Sequence, residues 1–115
     1  MLLLRIAITV LMALAGGAKL LGAKPIAAQF EEFGLPRAAM YVVGVLEVAA
    51  AVGIQLDRLA FFASTGIALL MVGAVANHLR VRHPIGQAVP SVVVLLLAAA
   101  HSALSWSAVA PRFGA

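Results

Sequence analysis

Few side chains in this sequence can do chemistry, and the first of them is Glu47. It lies inside an apolar run from about Ala38 to Leu56, nine residues in, roughly 14 Å along a helix that rises 1.5 Å per residue. A lone ionised carboxylate at that depth in an apolar medium is costly, so Glu47 must be neutral, paired or turned to a polar cavity. Met40, Val43, Gly44, Ala50, Ala51 and Ile54 share its helical face, and Gly44 and Ala51 leave room there for another helix or a small ligand. Lys19 is its natural partner. It sits about 5 Å below the end of the first apolar run, leaving a depth difference of roughly 9 Å from Glu47, much of which the two side chains can span. Three readings stand side by side: a charge pair shaping a substrate or proton-active site, a structural pair fixing helix register, or a snorkelling Lys19 with a protonated Glu47.

Asn77 and His78 end the third apolar run on the Lys19 side. Asn77 shares a face with Gly66, Leu70 and Gly73, a small-residue groove suited to close helix contact. His78 titrates in the physiological range and is a candidate acid or hydrogen-bond donor, or equally a capping residue at a helix C-terminus. His83 follows in the loop as a weaker candidate. His101 falls some 16 residues into the fourth run, toward the opposite side, and reads as a separate interhelical hydrogen bond. No three of these groups have the spacing that specifies a metal site. The candidate catalytic set is therefore Glu47, Lys19 and His78, with Gly44 and Asn77 as candidate ligand contacts. Gly16-Gly17-Ala18 lacks the strand and the Lys-Ser/Thr ending of a phosphate loop. Ser102, Ser105 and Ser107 have no placed base, and Trp106 reads as an interfacial anchor.

The elements that must position these groups are membrane helices. Of 115 residues, 64% are apolar and 10% charged, with a mean hydropathy of +1.12, against about 25% charged in an ordinary soluble domain. A soluble domain of this size has too little interior to hide so much apolar surface, whereas lipid accepts it provided every backbone group is paired within a helix. The net charge of +4 is scattered at the ends of apolar runs, without the basic stripe that nucleic acid requires. Cysteine is absent, which removes disulfides, thiol redox chemistry and Cys-ligated metals.

The expected architecture is all-α: a single membrane domain, a four-helix bundle with short connections, with spans at about 2–22, 38–56, 59–79 and 85–106. Lys24–Arg37, with Ile26, Phe30, Phe33 and Leu35 among its polar residues, reads as an amphipathic segment at the interface, ended by Gly34-Leu35-Pro36. The short joint at Asp57-Arg58 makes the second and third spans an antiparallel hairpin. Pro90 fits within the first turns of the last span, and Pro111-Arg112-Phe113-Gly114 forms a short tail. Lys24, Arg37, Arg80 and Arg82 outnumber Arg5, Arg58 and Arg112, so the positive-inside rule places connections one and three in the cytoplasm and both termini outside. A second reading makes the first run a secretory signal with a cleavage site near Ala13-Leu14-Ala15.

Gly16-Gly17-Ala18-Lys19-Leu20, Phe33-Gly34-Leu35-Pro36 and Tyr41-Val42-Val43-Gly44-Val45-Leu46-Glu47 together resemble the DoxX-like family of small four-helix membrane proteins. Its Gly-x-x-Lys, Phe/Tyr-Gly-Leu/Ile-Pro and Gly-x-x-Glu elements fall here on Gly16–Lys19, Phe33–Pro36 and Gly44–Glu47, and Asn77-His78 is also similar. The resemblance covers essentially the whole chain and implies a multi-pass protein of a bacterial cell membrane. One branch of the family is linked to thiosulfate:quinone oxidoreductase, which implies quinone as a cofactor for some members; other relatives look like partners or chaperones of larger membrane proteins.

Three functions follow as expectations. The first is a structural, accessory or chaperone-like protein that packs against itself or a larger membrane protein. The second is a quinone- or lipophile-binding subunit or enzyme of a membrane redox system, with Glu47 proton-active, Lys19 its electrostatic partner and His78 a hydrogen-bond donor. The third is a small proton-coupled transporter. Whether the chain is an enzyme is left open by the sequence.

Overall fold

The computed structural model describes residues 2–109, with side chains described as far as Trp106. The Pro111–Gly114 tail and the Ser107 side chain lie outside the described set. Five helices follow one another: α1 (Leu2–Leu20), α2 (Lys24–Glu32), α3 (Arg37–Gly53), α4 (Ala60–Arg80) and α5 (Ile85–Val109). No strand occurs among the described residues.

Among the described residues, three helices are long and apolar enough to cross a membrane: Leu2–Leu20, Ala60–Arg80 and Ile85–Trp106, of 19, 21 and 22 residues. The expected span at 38–56 is narrower. It becomes α3, of 17 residues, which reaches spanning length only together with α2, and the chain bends by 116° between them. Four straight spans thus resolve into three long helices and one bent α2–α3 unit.

The helix ends follow from local chemistry. At the close of α1, Ala23 N–H donates to Ala18 O at 3.0 Å and Gly22 N–H to Lys19 O at 3.1 Å, the paired bonds of a Schellman ending. Leu35 and Gly34 repeat it on Phe30 O and Glu31 O at 3.0 and 2.9 Å. Gly22 (φ 70°) and Gly34 (φ 75°) take the left-handed conformation each ending needs. A third copy closes α4, where His83 N–H reaches His78 O at 3.0 Å. There the left-handed residue is Arg82, φ 58°, a backbone state that costs a non-glycine residue about 1–2 kcal/mol.

The closest helix pairs are α1 with α3 and α4 with α5; α3–α4 and α1–α5 contacts are sparser. The hairpin expected of the second and third spans is therefore a looser pair than expected, meeting near its turn through Gly53 and Ala63. Ile8, Met12, Ala51, Ile54, Ala60, Ile67, Met71, Val94 and Ala98 form the core. Leu2, Leu3, Leu14, Leu69, Leu96 and Leu104 are exposed and face the apolar medium that the composition demands. Lipid tails are as apolar as leucine, so tight packing and polar contacts hold these helices together. Such contacts position the candidate site.

Candidate functional site

Glu47 is buried, 1% exposed, and its Oε1 lies 2.8 Å from Lys19 Nζ. The depth gap that the sequence left between the two is closed because α1 and α3 cross with their backbones almost touching. A Cβ on Gly16 would fall 2.8 Å from Val48 Cγ2 and 2.9 Å from Gly44 O, and one on Gly44 would meet Gly16 O and Lys19 Cβ, both at 3.0 Å. Gly16 and Lys19 are one turn apart on α1, as Gly44 and Glu47 are on α3. The two Gly-x-x-charge elements therefore interlock, each glycine admitting the partner helix and each charge closing on the other one turn away. The space that Gly44 leaves is filled by α1 itself.

His78 is buried at the far end of α4, and among the described residues no hydrogen bond or ion pair joins it to Lys19 or Glu47. It belongs to a second cluster. Its Nδ1 lies 2.8 Å from His83 Nδ1, and His83 Nε2 pairs with Glu32 Oε2. Phe33 lies edge-on to His78, with ring centroids 5.1 Å apart, and 5.5 Å from His83. Arg80 donates to Phe33 O and, at 3.0 Å, to Asn77 Oδ1. Asn77 thus orients Arg80 at this corner. The Schellman turn at Arg82 is what folds His83 back onto His78.

Chemically the row Glu32–His83–His78 has the connectivity that a proton relay requires. One imidazole must carry the hydrogen between the facing Nδ1 atoms and the other must accept it, so a proton entering at the half-exposed Glu32 carboxylate can be matched by one leaving His78. His83, the weaker candidate by sequence, and Glu32, which sequence does not single out, are both members of this cluster. The signal lay in the spacing: a helix-ending turn brings residues five apart together, and Glu32 stands next to the Phe33 that packs on both rings.

His101 is the third polar centre. Its Nδ1 lies 3.1 Å from Ser64 Oγ and 3.0 Å from Ser105 Oγ, and Thr65 and Ser102 hydroxyls meet at 2.6 Å beside it. The interhelical hydrogen bond expected of His101 is present. Its serine partners are not evident from spacing, although Ser64 shares the buried face of α4 with Ile67 and Met71, where a hydroxyl needs a partner. Among the described residues no three His, Asp or Glu side chains are grouped so as to hold a metal ion.

A cavity of about 320 Å³ lies in the α2–α3 elbow, lined by Ala27, Phe30, Glu31, Leu35, Arg37 and Met40 among others, and a second of about 550 Å³ opens at the α3–α4 turn along Gln55–Leu59. Neither touches Lys19 or Glu47. No curated protein and no solved structure matches the chain. The DoxX-like family model matches residues 3–101, a stretch that holds the interlocked Gly16–Lys19 and Gly44–Glu47 elements and all three histidines. The chain belongs to the DoxX-like family.

Proposed function

We propose that this protein is a small accessory component of a bacterial cell membrane, a bundle of four crossing segments that docks against a second copy or a larger membrane protein. The observation that carries this reading is the Lys19–Glu47 contact. It is direct, at 2.8 Å, and stands where the two backbones leave no space for a ligand between them. A pair so placed sets the register of α1 against α3 and performs no turnover. The α2–α3 unit supplies the fourth crossing, with α3 in the bilayer and α2 lying along the interface, its Phe30 turned inward and its Glu31 and Glu32 outward. The long helices touch in the cyclic order α1, α3, α4, α5 and back to α1, which suits a four-membered bundle.

Docking is supported by the outer face of α4. Gly66 and Gly73 lie two turns apart, and a Cβ on either would meet nothing within 4 Å. Their exposure offers another membrane helix a close approach. The test is chemical cross-linking in native membranes followed by purification in mild detergent. A defined oligomer or hetero-complex that is lost in Gly66→Ile/Gly73→Ile supports the reading. A lone monomer in both proteins rejects it.

The Glu32–His83–His78 chain favours a second reading, a lipophile- or quinone-binding subunit that exchanges protons at the α2 end. In that case the proton-active group is His78 rather than Glu47. Quinone retained on extraction and lost on His78→Phe, but not on Glu47→Gln, supports it. Equal quinone content in all three proteins rejects it.

A further inference from the structure

Helix α2 is a short element between two glycine turns. Gly22 (φ 70°) and Gly34 (φ 75°) flank it, and glycine moves between backbone regions at little cost. Its C-terminal end is fastened to the α4–α5 turn by a polar row and a ring. His83 Nε2 pairs with Glu32 Oε2, His83 Nδ1 lies 2.8 Å from His78 Nδ1, and Phe33 packs against both imidazoles. Arg80 adds a hydrogen bond to Phe33 O.

The geometry of this row limits how many protons the two imidazoles can hold. A carboxylate only accepts, so His83 Nε2 carries a hydrogen toward Glu32. Between Nδ1 atoms 2.8 Å apart there is room for one hydrogen, donated by either ring to the lone pair of the other. Two states satisfy both conditions. In the neutral pair, His78 Nδ1–H donates to His83. With one extra proton the row gains a positive charge, and Glu32 stands at its end. A second extra proton puts hydrogen on both facing Nδ1 atoms and removes the acceptor. It also sets two imidazolium ions and the Arg80 guanidinium against one carboxylate. No other acid offsets this charge: Glu31 lines the elbow cavity with Arg37, Glu47 is taken by Lys19, and the first turns of α5, Ile85–Pro90, hold no titratable group. Arg82, exposed in the turn, adds further positive charge.

We propose that Glu32, His83 and His78 form an acid-released latch, which fastens α2 to the α4–α5 turn while the histidine pair holds at most one extra proton and frees α2 when the pair takes the second. The released state binds one proton more than the latched state, so release is favoured as pH falls. Below the ordinary histidine range the opening equilibrium rises about tenfold per pH unit. Release bares Phe33, which is 6% exposed when latched, and lets α2 turn about Gly22 and Gly34. The latch uses neither the Lys19–Glu47 pair nor the Gly66–Gly73 face, so it stands or falls separately from the docking reading.

The test is the distance between spin labels on Ala28→Cys of α2 and Ile85→Cys of α5, both exposed positions in a chain without cysteine of its own. Pulsed electron resonance is recorded on the full chain in lipid nanodiscs. The expected result is a single distance at about pH 8 and a second, longer one that grows as pH falls from about 6.5 to about 5. A distribution unchanged over that interval overturns the proposal. His78→Gln keeps a polar side chain that does not titrate, and should hold the first distance at about pH 5. Opening of that variant to the same extent as the unmutated chain overturns the proposal, since release would then come from another group. Should the variant fail to fold, NMR of the His78 and His83 ring nitrogens in the unmutated chain decides. Opening that coincides with full protonation of both rings supports the latch, and opening while either ring is neutral overturns it.

Discussion

Glu47 and Lys19 act as one object. Removing either leaves a charge in a place built for two, and breaking a buried pair in this way costs about 3–5 kcal/mol in other proteins. Partial exposure of Lys19, at 15%, lets its ammonium snorkel and moves the expectation to the lower end. Glu47→Gln should therefore lower stability in detergent by about 3 kcal/mol, read from the denaturation midpoint. The glycines beside the pair are as constrained as the charges. Gly16→Ala must push its new Cβ into Gly44 O, a backbone atom that cannot swing aside, and should cost about 1–3 kcal/mol as an overpacked contact. Gly17→Ala is the control, because its Cβ would meet nothing within 4 Å, and its midpoint should stay put or rise slightly. The pairing of Lys19 with Glu47 was legible in the sequence because a buried carboxylate demands a cation. The choice between packed helices and a ligand cavity was not, since Gly44 and Ala51 permit both, and only the crossing of α1 over α3 distinguishes them.

At the level of elements, the three Schellman endings explain how a short chain places its polar clusters. Two use glycine and the third uses Arg82, which pays for folding His83 onto His78 with a strained backbone. Arg82→Gly should relieve that strain and raise stability by about 1 kcal/mol, and an unchanged or lower midpoint would show that the Arg82 side chain contributes more than its backbone costs. Helix α2 is held to the α4–α5 turn mainly through Phe33, with its ring against both imidazoles and its carbonyl on Arg80. Phe33→Ala should speed amide hydrogen exchange across Lys24–Glu32 while leaving α1 and α5 protected. Equal acceleration everywhere would mean that Phe33 supports the whole fold. The amphipathic character of α2 and its end at Gly34 were readable from residue pattern. Its steep bend against α3 was not, because a Gly-Leu-Pro turn ends a helix without fixing the direction in which the next one leaves. The Glu32–His83–His78 chain was hidden for the same reason, as it is assembled by two turns rather than by one helical face.

At the scale of the molecule, the described polar groups are dispersed rather than pooled: they stand at the α1–α3 crossing, at the α2 end of α4, at the α4–α5 contact around His101, and where Thr9 and Arg5 of α1 meet Gln55 and Asp57. Sequence pattern points to a focus around Lys19, Glu47 and Asn77-His78, with His101 apart from it. Composition revealed the membrane character, because no soluble fold of 115 residues hides so much apolar surface. It could not reveal that the second span is a bent unit, since hydropathy carries no information on direction. The absence of cysteine makes the crossing pattern directly testable. Single cysteines at Arg58 and Arg82 should be labelled by membrane-impermeant maleimide from opposite sides, Arg82→Cys from the cytoplasm, if α4 crosses with its basic end inside. Labelling of both from one side would remove that topology.

Whether Lys19 and Glu47 hold α1 against α3 or serve a ligand is decided by a double-mutant cycle with Lys19→Met and Glu47→Leu. Stability in lipid and cross-linked assembly are measured together in the four proteins. If the pair is structural, each single variant is destabilised and the double variant, with both charges replaced by apolar side chains of similar bulk, regains most of the lost stability and keeps its assembly. A double variant that is stable and assembled, yet has lost a ligand that the unmutated protein retains, would contradict it.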